Sequence, residues 1–479
     1  MDSAPVNIDD LHLEKMGYKQ VLHRGLSPLM NFAFGFTEVA VLSSICVTFG
    51  YGLGTGGPAT LFWTFLTNFG VTIFIGYSMA ELCAAYPSAG SVYHWAAQVS
   101  SKEWAPILSY ITGWSNWAGN TAGDASFAVG WASFLSASIA ASGGEPMEPR
   151  PQVGVSIAVL TVCTFLNFFR VDQVGWINNL AAIAHVSALI IIVVAVLSLT
   201  PRLSTAEWVF KDYYSNTGFT DHSYVGAVGI TSALFAFVGY EASAHMAEET
   251  GDATSAASKG LIRTIYATGF GGVLLILALL FASQDYLEQI VNDDDYYGGP
   301  ATGDDTRPVI IQHDSFKSSH INNNHLHLVG NAAVNLFIAV CGKEWGCALA
   351  WLVTINLFFA LLSSVAVTGR ITFALARDGG LPFSHLFAAV SPTFKSPVNG
   401  LLLVLFCDSL LQLLPLDENG GALAFSAIIG LCVIGFQVHL ALTLSLHSHC
   451  EIHSSYTRAL SGVLWSTHAH QADLRSSLT

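Results

Sequence analysis

The sequence predicts an all-α integral membrane protein with about ten transmembrane helices. Hydrophobic residues fill 52% of the 479 positions and charged residues only 11%, against about 25% charged in soluble domains. Ten apolar runs are long enough to cross a hydrocarbon core, which takes about 20 helical residues. The sixth holds an acid, Glu241, which at a helix centre costs about 2.5 to 3.5 kcal/mol and so has to face the protein interior.

The runs lie near residues 28–52, 58–80, 106–140, 153–169, 177–199, 224–246, 262–283, 346–369, 398–415 and 422–446. With the N-terminus inside, twelve of the 18 Lys and Arg residues fall in inner segments and six in outer loops, the bias that sets topology. An even number of spans returns the C-terminus to the cytosol. Residues 1–27 form a polar cytosolic segment with no apolar h-region, so the first span does the targeting. The membrane domain is 28–446, interrupted at about 285–330 by an extracellular insertion rich in Asp, Asn, Gly and His. Asn331 to Cys341 is mildly amphipathic and reads as lying along the outer interface. A histidine-rich tail is read from His439 onward, and its residues 447–479 read as a disordered cytosolic segment.

Whole classes of function drop out. The net charge of −15 comes with no basic stripe, which excludes nucleic acid as a partner. Eight cysteines include no CxxC pair, and five sit in or beside apolar runs, so no disulfide framework is expected. GxSxG, HExxH and GxxxxGK[ST] are all absent, leaving hydrolase, metalloprotease and nucleotide chemistry without a foothold, and the protein is read as no enzyme. The loop histidines His313, His320, His325 and His327 have no regular ligand spacing. No metal and no cofactor is called for.

The chemistry gathers around FAFVGYEASAHMAEET, Phe235 to Thr250. Gly239 among Phe235, Phe237 and Tyr240 has the composition of a helix that opens its backbone toward a ligand under an aromatic cover. In the first span Ser43 and Ser44 either bond back to the preceding turn or, beside a positive half-helix end, receive a carboxylate. Asn116, Asn120 and Asp124 recur every fourth residue, so one face of the third span is polar and turns inward, to bond neighbouring helices or to line a cavity. His185 stands alone in the fifth span, as a packing residue or as a proton carrier. Asp408, in the ninth span, reads as a helix-to-helix bond.

Five stretches, LGTGGPATLFW, MAELCAAYPSAGSVYHWA, GWSNWAGN, FAFVGYEASAHMAEET and GRITFALARDGGLP, occur in that order between Leu53 and Pro382. On them the chain resembles the amino acid–polyamine–organocation superfamily, and within it the eukaryotic amino acid/choline permeases, over about residues 17 to 437. The resemblance implies a LeuT-like core of two five-helix inverted repeats with discontinuous helices 1 and 6. By position the helix 1 break falls on Leu42, Ser43 and Ser44, where this sequence lacks the glycines usual in relatives. Phe235 falls on a gating aromatic, Val238 on a carbonyl that receives the substrate amine, and Glu241 on a conformation-linking carboxylate. Asn120 and Ser364 match pocket positions, and His185 falls where some relatives carry a proton-coupling lysine.

The expected function is secondary transport by alternating access in the plasma membrane. The substrate is an amino acid or amino-acid-like amine, with γ-aminobutyrate, choline and polyamines in range, and protons couple the cycle. Ser43, Ser44 and the helix 1 backbone hold a carboxylate, and the backbone of Val238, Gly239 and Tyr240 an ammonium. Phe235 closes over the site, Asn116, Asn120 and Ser364 line it, and Glu241 and His185 carry protons. Relatives usually have twelve spans, which leaves a truncated or receptor-like membrane protein as the second reading.

Overall fold

The computed structural model describes residues 8–213, 215, 219, 221–284, 331–416 and 421–449. The 285–330 insertion and the tail beyond 449 lie outside these residues. Among the described residues the elements are helices, and the one β-bridge, Leu26 to Thr250, is isolated.

A short helix, α1 (Ile8–Lys15), precedes the membrane domain. The first span opens at α2 (Pro28–Val39), where Pro28 occupies the first turn and Ser27 Oγ accepts from Met30 N as N-cap. It continues into α3 (Val41–Ala85), whose 45 residues complete the first span and form the second because the backbone leaves the helix at Gly56 and Gly57 just before Pro58. Gly57 has φ 73°, which glycine reaches without strain. After α4 (Ser91–Val99), spans three to five are α5 (Ala105–Ala141), α6 (Pro149–Leu166) and α7 (Val171–Leu199).

Beyond the short α8 (Ala206–Lys211), the sixth span is α9 (His222–Phe235) and α10 (Ala242–His245), separated by non-helical turns from Ala236 to Glu241. The seventh is α11 (Ala253–Phe281). The eighth belongs to α12 (Ala332–Arg377), which kinks at Gly342 with φ 77°. Following α13 (Ser384–Phe387), α14 (Val398–Leu411) and α15 (Gly421–His449) complete the bundle.

Among the described residues, seven helical segments are long and apolar enough to cross a membrane, and one of them, Pro28–Ala85, holds two spans. The third and sixth spans escape that criterion for physical reasons: α5 carries Asn, Asp and Gly along its buried stripe, and α9 is cut to 14 residues by the break. Together they make ten. Each half of five begins with a discontinuous helix, and the two discontinuous helices pack together, the LeuT-like arrangement. Asn31 Nδ2 donates to Ser243 O at 2.9 Å and to Thr250 Oγ1 at 2.9 Å. A Cβ on Gly35 would lie 2.7 Å from Ser243 Oγ, so α2 and α10 touch backbone to side chain.

Three expectations are corrected. The first helix breaks at Ala40 (φ 45°, ψ 52°), ahead of Leu42–Ser44; an alanine takes the left-handed conformation because flanking groups capture the freed backbone polar atoms. The stretch after Asn331 does not lie on an interface, since Ala333, Val334, Leu336 and Phe337 are buried in the bundle. His439 belongs to no tail: α15 carries it into the core, fully buried.

Candidate functional site

The two broken helices meet at their breaks. Gly239 has φ 91°, and a Cβ there would fall 2.9 Å from Glu38 Cγ and 3.0 Å from Glu38 Oε1. Only glycine fits, by conformation and by space. The Glu38 side chain, from the last turn of α2, therefore lies against the opened backbone of the sixth span, and Glu241 follows at the head of α10. Asp124 on α5 and Glu241 are both within electrostatic reach of Glu38. All three acids are buried, and Glu38 Oε2, Asp124 Oδ2 and both oxygens of Glu241 have no hydrogen-bond partner. From α15, His439 Nδ1 sits 3.1 Å from Gly435 O, and its Nε2 points at Glu241 Oε1 across 3.4 Å.

The other predicted site residues take distinct places. Ser44 Oγ donates to Val39 O at 2.8 Å and so closes the helix 1 break, whereas the buried Ser43 Oγ has no partner. His185 Nε2 accepts from Leu42 N at 3.2 Å, which caps the backbone the break sets free, and its ring meets Phe36 edge-on at 5.2 Å. Phe235 is buried against Phe127 of α5 at 6.0 Å between ring centroids. Asn68 Nδ2 donates to Ala233 O at 3.0 Å, holding a carbonyl near the end of α9. Beside the break lies a groove of about 260 Å³ lined by Asn68, Thr72, Phe237, Val238, Tyr240 and Phe436.

The polar stripe of α5 bonds its neighbours. Asn116 Nδ2 is 3.1 Å from His245 Nε2, and Asn120 Nδ2 donates to Asn116 Oδ1 at 2.7 Å. Because His245 Nδ1 faces Ala89 O at 3.1 Å, Nδ1 carries the proton and Nε2 accepts from Asn116. Ser364 Oγ donates to Asp124 Oδ1 and so links α12 to α5. Both carboxylate oxygens of Asp408 are buried without a hydrogen-bond partner among the described residues, contrary to the helix-to-helix bond expected of it.

The amino acid permease family model matches residues 26–302 and 310–446. The chain belongs to that family. It is 29% identical over 457 residues to the amino-acid permease BAT1 of Arabidopsis thaliana, covering 93% of this chain and 81% of the relative. It is 30% identical to the BAT1 homolog of Oryza sativa subsp. japonica, over 90% of this chain and 78% of the relative. The thiamine transporter thi9 of Schizosaccharomyces pombe is 26% identical over 88% and 70% of the two chains. The chain is thus a multi-pass membrane transporter.

At the face of the permease that carries its N-terminal segment, a second polar network closes the bundle. Arg370 Nε donates to Glu249 Oε1 at 2.8 Å with both side chains buried. Arg377 Nη1 donates to both oxygens of Glu248 at 3.0 Å, and Ala89 N donates to Glu248 Oε1 at 2.8 Å. Tyr18 and Tyr93 both donate to Asp378 Oδ2, at 2.8 and 2.9 Å. Gly25 N and Leu26 N donate to Glu249 O, so the strand-like entry to α2 is tied to the end of the sixth span.

Sequence reasoning passed over Glu38 and His439 as site residues. The signal for Glu38 was the one used for Glu241, an acid inside an apolar run. For His439 it was the apolar sequence continuing on both sides, which the count of nearby histidines obscured.

Proposed function

We propose that the permease carries an amino acid or a small amino-acid-like amine across the plasma membrane by alternating access, coupled to protons, with its N-terminus in the cytosol. The observation that carries this reading is the meeting of two helix breaks, Ala40 and Ala236–Glu241, inside a buried polar core. In a low-dielectric interior, opened backbone and half-helix ends are the groups that hold the carboxylate and the ammonium of such a substrate. Ser43, with its free hydroxyl, and the backbone that follows Ala40 receive the carboxylate, while Ser44 keeps the break in shape. The backbone of Val238, Gly239 and Tyr240 receives the ammonium, and Phe235 covers it.

Asn116, Asn120 and Ser364 shape the pocket through the bonds they already make to His245 and Asp124. Glu241 carries the proton, facing His439. His185 senses protonation through helix 1, since a proton on Nε2 removes the acceptor of Leu42 N. The names of the plant relatives support amino acids as the substrate class.

Uptake of radiolabelled amino acids, γ-aminobutyrate and choline into vesicles containing the full chain, with and without an inward proton gradient, tests the reading. Gradient-driven accumulation that disappears in Glu241→Gln while substrate still binds is the expected result. Accumulation of the same extent with no gradient removes proton coupling, and absence of flux for every compound removes the transport reading.

A further inference from the structure

A second group of buried acceptors lies where the third, eighth and ninth spans pack. Asp408 and Gln412 stand one turn apart at the end of α14, and both are fully buried. Gln412 Nε2 donates to Ala125 O at 2.9 Å, which brings this end of the ninth span against α5 beside Asp124. Asp408 Oδ1 and Oδ2, Gln412 Oε1 and Asp124 Oδ2 are all buried without a hydrogen-bond partner among the described residues. Four acceptors gather here, and a donor is missing.

Three features of the surroundings oppose a charge on Asp408. It is sealed from water, it stands in the last turn of α14 at the negative end of the helix dipole, and the charge that reaches it, that of Asp124, has the same sign. Asp124 is placed differently. Ser364 Oγ donates to its Oδ1, a bond that favours the ionised form. The other titratable groups near the pair are thiols and one acid: Cys407 beside Asp408, and Cys163 of α6, Cys432 of α15 and Glu38 of α2 around Asp124. From α12 come the hydroxyls of Ser364 and Thr368. The short α13 meets the opposite end of α14, where Asn399 Nδ2 donates to Leu386 O. Among the described residues, no Lys, Arg or His forms an ion pair with Asp408 or Asp124.

We propose that Asp408 and Asp124 form a proton-binding site in which one proton resides on Asp408 and the negative charge on Asp124, so that a proton fastens the ninth span to the third. The O–H of Asp408 supplies the missing donor, to Asp124 Oδ2 or to Gln412 Oε1. The site stands apart from Glu241 and His185, and it does not depend on where substrate binds.

Infrared spectroscopy of the full chain in lipid vesicles, titrated with alkali, tests it. At neutral pH the wild type should show the carbonyl stretch of a buried carboxylic acid that is absent from Asp408→Asn and that vanishes from the wild type in alkali. Asp124→Asn removes the neighbouring charge, so in that variant the band should vanish about one pH unit or more lower. The folded state holds a proton that an unfolded aspartate, with an ordinary value of about 3.9, gives up. The stabilisation is therefore full below about 3.9 and is lost as pH rises to the point where folded Asp408 ionises. Between pH 5 and pH 9 the melting temperature of the wild type should accordingly fall relative to that of Asp408→Asn, whose amide keeps a donor and takes up no proton. Identical bands in wild type and Asp408→Asn at neutral pH overturn the proposal, as do parallel melting curves. A wild-type melting temperature raised by sodium chloride over choline chloride, and not raised in Asp408→Asn, also overturns it and assigns the pair to an alkali cation. Should Asp408→Asn fail to fold, the other variant decides: a band that titrates alike in wild type and Asp124→Asn overturns the pairing.

Discussion

Arg377 joins Glu248 to Tyr18: its Nη1 is 3.0 Å from each oxygen of the Glu248 carboxylate, and its guanidinium carbon is 3.9 Å from the centre of the Tyr18 ring. Three parts of the chain that are distant in sequence thereby become one closure: the segment before the first span, the end of the broken sixth span, and the end of the eighth. Arg370 and Glu249 repeat the pairing about two turns earlier on α12.

Arg377→Gln should loosen that closure. Glu248 is only 1% exposed, and without the arginine it keeps Ala89 N as a donor but no counter-charge. Removing one partner of a buried pair costs about 3 to 5 kcal/mol, and the lower end applies because Arg377 is partly open to water. The expected outcome is a lower melting temperature together with faster hydrogen exchange at residues 25–26 and 249–251. Arg377→Lys, whose one nitrogen cannot meet Glu248 and also reach Asp378 and cover the Tyr18 ring, should fall between the two. Exchange rates like wild type in both variants would deny the contact a closing role.

Acid should weaken the same face through His94. Tyr18 gives its proton to Asp378, so His94 Nδ1 donates to the Tyr18 oxygen, 3.3 Å away, and His94 Nε2 is left buried with no partner. Burial lowers the His94 pKa below its ordinary value of 6.5, and it raises the Tyr18 hydroxyl, with the Asp378 charge adding to that rise. The folded state therefore binds the histidine proton less readily than the unfolded state. The stabilisation is present above about 6.5 and is lost as pH falls below it. Thermal stability measured between pH 8 and pH 5 should drop on the acid side, and the drop should be shallower in His94→Gln. Parallel curves for the two proteins would assign the acid effect to other groups.

The spans were legible because bilayer thickness imposes a length on every apolar run, and ten runs could be counted without any knowledge of packing. The helix 6 break was legible too, since Gly239 and Glu241 violate the pattern of a continuous apolar helix within three residues. The helix 1 break was misplaced by a few positions because Ala40 has no intrinsic preference for a left-handed backbone; the groups the break frees are met by Ser44 and by His185, which accepts from Leu42 N across 143 residues of sequence. The roles of Asn116, Asn120 and Ser364 were hidden for the same reason. A spacing of four residues puts side chains on one face, but only tertiary structure decides that the face meets His245 and Asp124.

Gly239→Ala should be among the most damaging single substitutions in the permease. The methyl group would sit 2.9 Å from Glu38 Cγ, and its backbone would have to hold φ 91°. A left-handed non-glycine conformation alone costs about 1 kcal/mol or more, and displacing a buried carboxylate adds to it. Loss of uptake with a melting temperature several degrees lower is expected. Pairing it with Glu38→Ala, which removes the clashing atoms, should restore part of the stability but not the uptake. Additive losses in the double variant would mean the two residues do not meet.

His185 separates stability from coupling. His185→Ala leaves Leu42 N buried and unpaired, at about 1 to 3 kcal/mol, and also removes the edge contact with Phe36. His185→Gln retains an oxygen that accepts from an N–H but takes up no proton in the physiological range. The alanine variant should therefore melt earlier and lose uptake, while the glutamine variant regains most of the melting temperature. If protonation of His185 releases helix 1 during the cycle, the glutamine variant should bind substrate and show a flattened dependence of uptake on pH. A glutamine variant with the pH profile of the wild type would leave His185 as the cap of the break and Glu241 as the group that carries the proton.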